Sequence, residues 1–391
     1  MTHRHRILVE GWRFSPNSLA VLNQFYCLEM LRRPDVELFF RDVPFHSPTW
    51  TQVPGLLPPE DEARLRALPA PATEDDLDAS LRIAHPTLVT PTGARGGRSW
   101  CWIITEFGTL DQSRIADGRP VREALNTPGV RLITCSNWSR DGLTRAGADP
   151  ANIALVPLGY DPRSYHTVDD ARRADLRRQF GWEGRFVFLN ISTMWWNKGI
   201  ATLIPAFAAT AEKHPDTLLV LKGNNRTVEP ASDLGRAIAS LPPQRQALVV
   251  PRLRYVGEYL TFQQVATFYQ AADAYVAPYH GEGFNLPVLE AAACGLISIC
   301  TAGGSTDEFT TPEFCRRIRS QLISPPQLTA QLGPGAHILQ VDGDHLIELM
   351  RDTVTNESAR ALARTAAPAH VNPRYTWETV TGQLVRTLVS G

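Results

Sequence analysis

The sequence predicts a doubly wound α/β fold carried by two Rossmann-like domains, and three observations lead to it. The chain has 391 residues, enough for two domains of ordinary size. Its strand-like runs are short and apolar throughout, as in parallel strands covered on both faces. The order strand, glycine-containing loop, helix occurs at the start, where Arg6–Glu10 leads through Gly11 into a helical stretch over Ser18–Leu31. It recurs where Arg185–Ile191 leads through Gly199 into Thr202–Ala211. In such folds ligands sit outside the carboxyl ends of the strands.

Composition narrows the function. Hydrophobic residues make up 43% and charged residues 20%, the profile of a soluble globular enzyme. The 39 Lys and Arg against 40 Asp and Glu give a net charge of −1, so no basic field favours nucleic acid. Six scattered cysteines form no closely spaced pair and read as buried free thiols in a reducing compartment. The basic start is followed by only Ile7, Leu8 and Val9 before Glu10, too short for a signal-peptide core, and no run of 18 apolar residues occurs. A cytoplasmic protein is expected. No histidine, cysteine or carboxylate spacing points to a metal.

The first half reads in order as follows. Leu19, Leu22, Phe25, Tyr26 and Met30 give the first helix its apolar face. Val36–Phe40 is the second strand. The proline-punctuated stretch Pro44–Pro71 is a loop with a short helix around Glu60–Leu68. A strand from Leu81 ends at His85, which places that histidine at a carboxyl edge. Trp100–Thr105 is a buried strand that delivers Glu106. Leu132–Cys135 is the next strand, and Ser136 caps a helix running to Ala146. Ile153–Pro157 follows. The arginine-rich run Asp169–Gln179 reads as an amphipathic helix with a solvated face; its alternative is a surface for anionic lipid, a peripheral membrane contact.

In the second half, Lys198 stands immediately before Gly199 and the helix Thr202–Ala211, where an ammonium adds charge to a helix start. Thr217–Lys222 is a strand whose carboxyl end carries Gly223, Asn224, Asn225 and Arg226. Arg254–Leu260, with Tyr255 and Val256, is another strand and turn, and Phe262–Ala272 is helical. Gly303 and Gly304 open a second glycine-rich loop entering a helix. Gln321–Ala336 shows three prolines and little pattern. Leu346–Val354 is a helix, His370–Pro373 breaks the chain, and a last helix runs from Tyr375 to Leu388.

The chain is organised around Asp273–Phe309. Tyr275–Ala277 is a buried strand, Gly281 and Gly283 bracket Glu282, Pro287 suits a first helical turn, Val288–Ala293 continues the helix, and Gly295 stops it. The loop brings free backbone N–H groups and the positive end of a helix dipole to one place, a ready anion site. Glu282 on the loop and Glu290 in the helix, eight positions on, border it at different depths. Carboxylates beside an anion site suit a ligand with phosphates in the middle and hydroxyls at each end.

Glu282 and Glu290, seven residues between them, lie in the run Glu-Gly-Phe-Asn-Leu-Pro-Val-Leu-Glu-Ala-Ala-Ala-Cys-Gly. This run resembles the donor-binding motif of the retaining glycosyltransferases of family 4, which have the GT-B fold: two Rossmann-like doubly wound domains facing across a cleft. Val156, Pro157, Gly159 and Asp161 resemble the segment that closes the first domain in that family. The resemblance implies a first, acceptor-side domain over 1–165, a second, nucleotide-sugar-binding domain over 166–370, and a helix over 371–391 crossing back to the first. It also implies Glu282 at the donor sugar and Glu290 at the ribose hydroxyls. Gly283, Phe284, Asn285 and Leu286 would meet sugar hydroxyls or phosphate, Lys198 the diphosphate, Gly304 the sugar and phosphate, and Tyr255 and Val256 the base. Gly11, Asn224 and Arg226 join these as candidate contacts.

The chain departs from the family in two places. The arginine usually found shortly before the lysine is replaced here by Ser192 and Thr193, so that one cationic contact is either missing or supplied elsewhere, by Arg13 or Arg226. The histidine many members carry in the first domain is replaced by His85 or Glu106. The implied activity is retaining transfer of a hexosyl group from a nucleotide-diphosphate sugar to an acceptor hydroxyl, without metal or other cofactor, with Glu282, Lys198 and His85 as the catalytic set. The alternatives are a sugar phosphorylase of the same fold and a non-catalytic nucleotide-sugar-binding protein.

Overall fold

A computed structural model of the chain describes residues 4–47, 50–73, 76–93, 98–225 and 230–390. They divide into two compact units: Met1–Gly159 with Ser324–His337 and Tyr375–Gly391, and Tyr160–Ile323 with Ile338–Arg374. Residues 324–337, expected within the second domain, thus belong to the first unit.

The first unit contains β1 (His5–Gly11), α1 (Ser18–Met30), β2 (Val36–Asp42), α2 (Pro59–Arg66), β3 (Ala79–Ile83), β4 (Ser99–Trp102), α3 (Val121–Leu125), β5 (Val130–Thr134), α4 (Asn137–Arg145) and β6 (Ile153–Leu155). The strands form one parallel sheet in the order β2-β1-β3-β4-β5-β6. The chain moves from β1 to β2 on one side and returns to β3 on the other, so the fold reverses between β1 and β3. Ile7, Leu8 and Val9 are fully buried, as a strand in the middle of a covered parallel sheet must be.

The second unit contains α5 (Asp170–Phe180), β7 (Phe186–Ile191), α6 (Ile200–Lys213), β8 (Thr217–Lys222), α7 (Pro230–Ala239), α8 (Pro243–Val249), β9 (Leu253–Val256), α9 (Phe262–Ala271), β10 (Ala274–Ala277), α10 (Leu286–Ala293), β11 (Ile297–Thr301), β12 (Cys315–Ile318) and β13 (Ser320–Ile323). After α11 (Pro326–Leu332), which lies in the first unit, come β14 (Ile338–Val341), α12 (Gly343–Thr355) and α13 (Glu357–Val371). The parallel sheet has the order β12-β11-β10-β7-β8-β9, reversing between β7 and β10, and β13 and β14 form a separate antiparallel pair. The last helix, α14 (Trp377–Ser390), belongs to the first unit, where Trp377 stacks on Phe25 of α1 with centroids 5.4 Å apart.

Several expectations need correction. β3 ends at Ile83 and β4 at Trp102, so His85 and Glu106 lie on the following loops rather than at strand ends. The second glycine-rich loop enters only a short 3-10 turn, Ser305–Glu308. Gln321–Ala336 holds most of β13 and all of α11. Helix α13 is wholly new: its buried face is Ala359, Ala363, Ala367 and Val371, small residues that leave a faint periodic signal, and Pro368 sits inside it. The arginines of α5 are not all solvated. Arg173 and Arg177 meet the carboxylate of Asp273 at 2.6 and 3.0 Å and donate to the carbonyls of Ala272 and Ala271. No helix among the described residues is long and apolar enough to cross a membrane.

Candidate active site

The reversal point of the second sheet is where the fold leaves room for a ligand, and two loops meet there. The loop after β7 runs through Ser192, Met194, Trp195 and a 3-10 turn, Trp196–Lys198, to Gly199. The loop after β10 runs from Pro278 to Asn285. They are laced together: His280 donates its N–H to the Asn197 carbonyl at 2.7 Å, and the Asn197 side chain donates to the Gly281 carbonyl at 2.9 Å. Gly199 makes this approach possible. Its φ is 73°, and a Cβ there would lie 1.9 Å from the Pro278 carbonyl oxygen.

The lacing brings Lys198 and Glu282 together. The ammonium meets the carboxylate at 2.7 Å, with side chains 14% and 13% exposed, so the pair is shielded but reachable. Beyond it the chain turns into α10 through Asn285, whose φ of 73° is left-handed, a conformation asparagine tolerates. The backbone N–H groups of Phe284, Asn285 and Leu286 donate to no described residue. Pro287 has no N–H, and that of Val288 bonds to the Asn285 carbonyl at 3.1 Å. Three successive unpartnered donors therefore stand at the helix start, a place for an anion. Phe284 is buried and stacked on Phe309, centroids 4.9 Å apart, which anchors the loop.

Glu290 lies deeper. Tyr269 donates to its carboxylate at 2.8 Å. Burial pushes Glu290 up to about 7, against the hydrogen bonds from Tyr269 and Tyr165 that pull it down. Tyr275 is held well above its ordinary value by burial, against its hydrogen bond with the Ile191 backbone, with the charges of Glu290 and Glu282 adding to the rise. Gly304 packs closely enough that a Cβ would sit 2.5 Å from the Tyr279 hydroxyl, itself bonded to Thr306 at 2.7 Å. The neighbouring Gly303 N–H is bonded to Asp307 at 2.8 Å.

After β8, the Tyr255 hydroxyl donates to the Asn225 side chain at 2.8 Å, and Gly223 N–H donates to the Val256 carbonyl at 2.9 Å. Asn224 stands on this loop, and Arg226 lies outside the described residues. Sequence reasoning missed Lys222. It is 7% exposed at the carboxyl end of β8, paired in register with Ile191 at the mouth of the Lys198 loop, and donates to the Gly223 carbonyl at 2.5 Å. Burial lowers its pKa, with Glu258 opposing. A lysine closing an otherwise apolar strand was the available signal.

Gly11, His85 and Glu106 belong to the first unit. A Cβ on Gly11 would lie 2.2 Å from the Asn23 side chain and 2.3 Å from the Ile83 carbonyl, so packing inside that unit already requires glycine. Arg13 is held by Asp42 and by the Leu65 carbonyl beneath the Phe40 ring, which commits the charge that sequence reasoning offered to a phosphate. His85 lies tilted against His46, centroids 5.0 Å apart, and is lowered to about 4 by burial, then by Arg114 and His46, so it is neutral at pH 7. The Glu106 carbonyl accepts from the Trp138 indole at 3.1 Å. No group of three or more potential metal ligands occurs among the described residues.

Residues 185–331 match the family described as glycosyl transferases group 1. Mannosylfructose-phosphate synthase of Agrobacterium fabrum is 29% identical over 160 residues, 40% of this chain and 34% of that protein. A GDP-mannose-dependent monoacylated alpha-(1-6)-phosphatidylinositol monomannoside mannosyltransferase of Corynebacterium glutamicum is 23% identical over 311 residues, 78% of this chain and 73% of that one. The match spans less than half the length of the first curated relatives, 34%, 42% and 41%. Among solved structures, Anabaena HepE in complex with UDP and glucose superimposes with a TM-score of 0.68 at 15% identity, covering 99% of this chain and 100% of that one. The fold is thus that of the GT-B glycosyltransferases.

Proposed function

With residues 185–331 matching the group 1 glycosyl transferases, we propose that the chain transfers a hexosyl group from a nucleotide-diphosphate sugar to an acceptor hydroxyl, with retention and without a metal. The carrying observation is Lys198 held at 2.7 Å on Glu282 beside the three unpartnered N–H groups of Phe284, Asn285 and Leu286. A diphosphate arriving there meets an ammonium, oriented amides and a helix start, and Glu282 is released toward the sugar hydroxyls. Charge gathers on the departing phosphate as the glycosidic bond opens, and donors fixed in advance stabilise it most in the transition state. Among the described residues, buried Lys222, in register with Ile191 at the start of the Lys198 loop, takes over from the missing arginine. HepE, bound to UDP and glucose, supports a donor of this class.

In the proposed reaction the bond from the anomeric carbon to the phosphate oxygen breaks as the bond to the acceptor oxygen forms on the same face. The acceptor proton passes to the departing phosphate. Glu282, paired with Lys198, is then a binding group and not a proton carrier, and neutral His85 is not required as an acid.

The test is a hydrolysis and transfer screen with UDP-, GDP-, ADP- and TDP-sugars in EDTA, with Glu282→Ala as control. Release of one nucleoside diphosphate, abolished by the substitution, is expected. An inverted product anomer would overturn the retaining mechanism. A nucleoside diphosphate that binds stabilises the fold by about 2.7 kcal/mol at a hundred times its Kd; no melting shift with any of them would overturn the reading as a whole.

A further inference from the structure

Trp195 and Trp196 are 52% and 49% exposed, side by side on the loop that carries Lys198. Tryptophan is a costly residue to leave in water, and single exposed apolar residues need no account, but two neighbours at one site do. Their loop is held firmly. Met194 is fully buried at a φ of 60°, its N–H donates to the Ser192 hydroxyl at 3.3 Å, and the Lys198 N–H donates to the Trp195 carbonyl at 2.8 Å. The Asn197 contacts then fix the turn to the β10 loop. The indoles are therefore presented by an ordered backbone.

The Trp196 ring lies nearly parallel to the His280 imidazole, 22° between planes and 6.4 Å between centroids. His280 Nδ1 is 2.9 Å from the Leu339 carbonyl oxygen, which only accepts, so Nδ1 carries a proton, and in that tautomer Nε2 is an acceptor. An aromatic face with a hydrogen-bond acceptor beside it suits a ring that is apolar on its C–H face and hydroxylated at its rim. An anionic lipid surface would want clustered cations; within 192–199 the sole charge is Lys198, already paired with Glu282.

We propose that Trp195, Trp196 and His280 form the acceptor subsite, and that its occupant is a sugar ring: a pyranose stacked by its C–H face on the indoles, with one hydroxyl donating to His280 Nε2. The subsite stands two residues from Lys198 and two from Glu282 along the chain, next to where a donor sugar would be cleaved. This rests on the transferase reading. It adds that the acceptor is a saccharide, bound partly by the second unit's own loops.

The experiment titrates full-length protein, saturated with nucleoside diphosphate, with a panel of methyl hexosides and disaccharides while following indole fluorescence. Trp196→Ala, Trp196→Phe and His280→Gln are run alongside, and the panel is also assayed as acceptors. The expected result is a saccharide-dependent fluorescence change that Trp196→Ala removes, with acceptor KM raised about tenfold in that variant and partly restored in Trp196→Phe. The melting shift given by nucleoside diphosphate reports the donor site separately, so its loss would indict the transferase reading and its survival isolates the acceptor claim. No fluorescence response to any saccharide, an acceptor KM unmoved by Trp196→Ala, or quenching by anionic phospholipid vesicles in place of sugars would overturn the proposal.

Discussion

The two units reverse their sheets in the same way and use the reversal differently. In the first, the loop after β1 folds back on its own unit: Gly11 abuts Ile83, Asn23 donates to the Trp12 and Ile83 carbonyls at 3.1 Å each, and Arg13 is held by Asp42. Buried Glu10 is held by Arg41 and Arg82 at 2.9 and 2.8 Å. In the second, Gly199 makes the equivalent approach to Pro278, but the charges on the two loops, Lys198 and Glu282, pair beside N–H groups that donate to no described residue. The difference teaches that a glycine at a reversal point marks close packing, and that a ligand site is marked by what remains unsatisfied around it.

The largest effect that sharpens this contrast is at Lys198. Lys198→Ala is expected to lower transfer about a hundred- to a thousandfold, as loss of a fixed charge-stabilising donor does, while the melting temperature without ligand changes little. Next comes Gly199→Ala, which forces a Cβ against the Pro278 oxygen at positive φ and is expected to destabilise by about 3 kcal/mol in denaturant unfolding. Arg13→Ala is expected to cost about 2 kcal/mol through the lost Asp42 pair and Leu65 hydrogen bond, and to leave the melting increment from nucleoside diphosphate intact. Loss of that increment would break the contrast.

The smallest effect is pH-dependent. Folded Glu290 titrates at about 7 against 4.5 ordinarily. Between those values the folded chain keeps a proton the unfolded chain has released, so raising the pH through this window removes stability. Glu290→Gln abolishes that loss. Relative to wild type, the variant is expected to be about 1–2 kcal/mol more stable at pH 8 than at pH 5, a figure reduced because the residue keeps some solvent access. Melting curves at the two pH values check it.

Much of this was legible in the sequence because the signals are local. Pro287 within the first turn, Gly295 after the last and the apolar run Ala274–Ala277 each fix a boundary by their own chemistry. The pairing of Lys198 with Glu282, 84 positions apart, was not legible, since it depends on how two loops are laced. Lys222 was passed over because its meaning comes from burial and from its register against Ile191. Helix α13 escaped because alanines pack as well as leucines where a neighbouring helix comes close, yet barely mark a hydrophobic face. An arginine after a first strand reads as free until its partner Asp42, on the next strand, is in place.

The central claim is that the second unit's reversal point binds the diphosphate of a nucleotide sugar. Calorimetric titration of the wild type and Lys198→Ala with a nucleoside, its monophosphate and its diphosphate tests it most directly. The account predicts that the diphosphate binds at least about tenfold more tightly than the nucleoside, a difference of about 1.4 kcal/mol, and that Lys198→Ala removes this advantage while nucleoside binding persists. Equal affinities for the three ligands, or a diphosphate advantage untouched by the substitution, would contradict it.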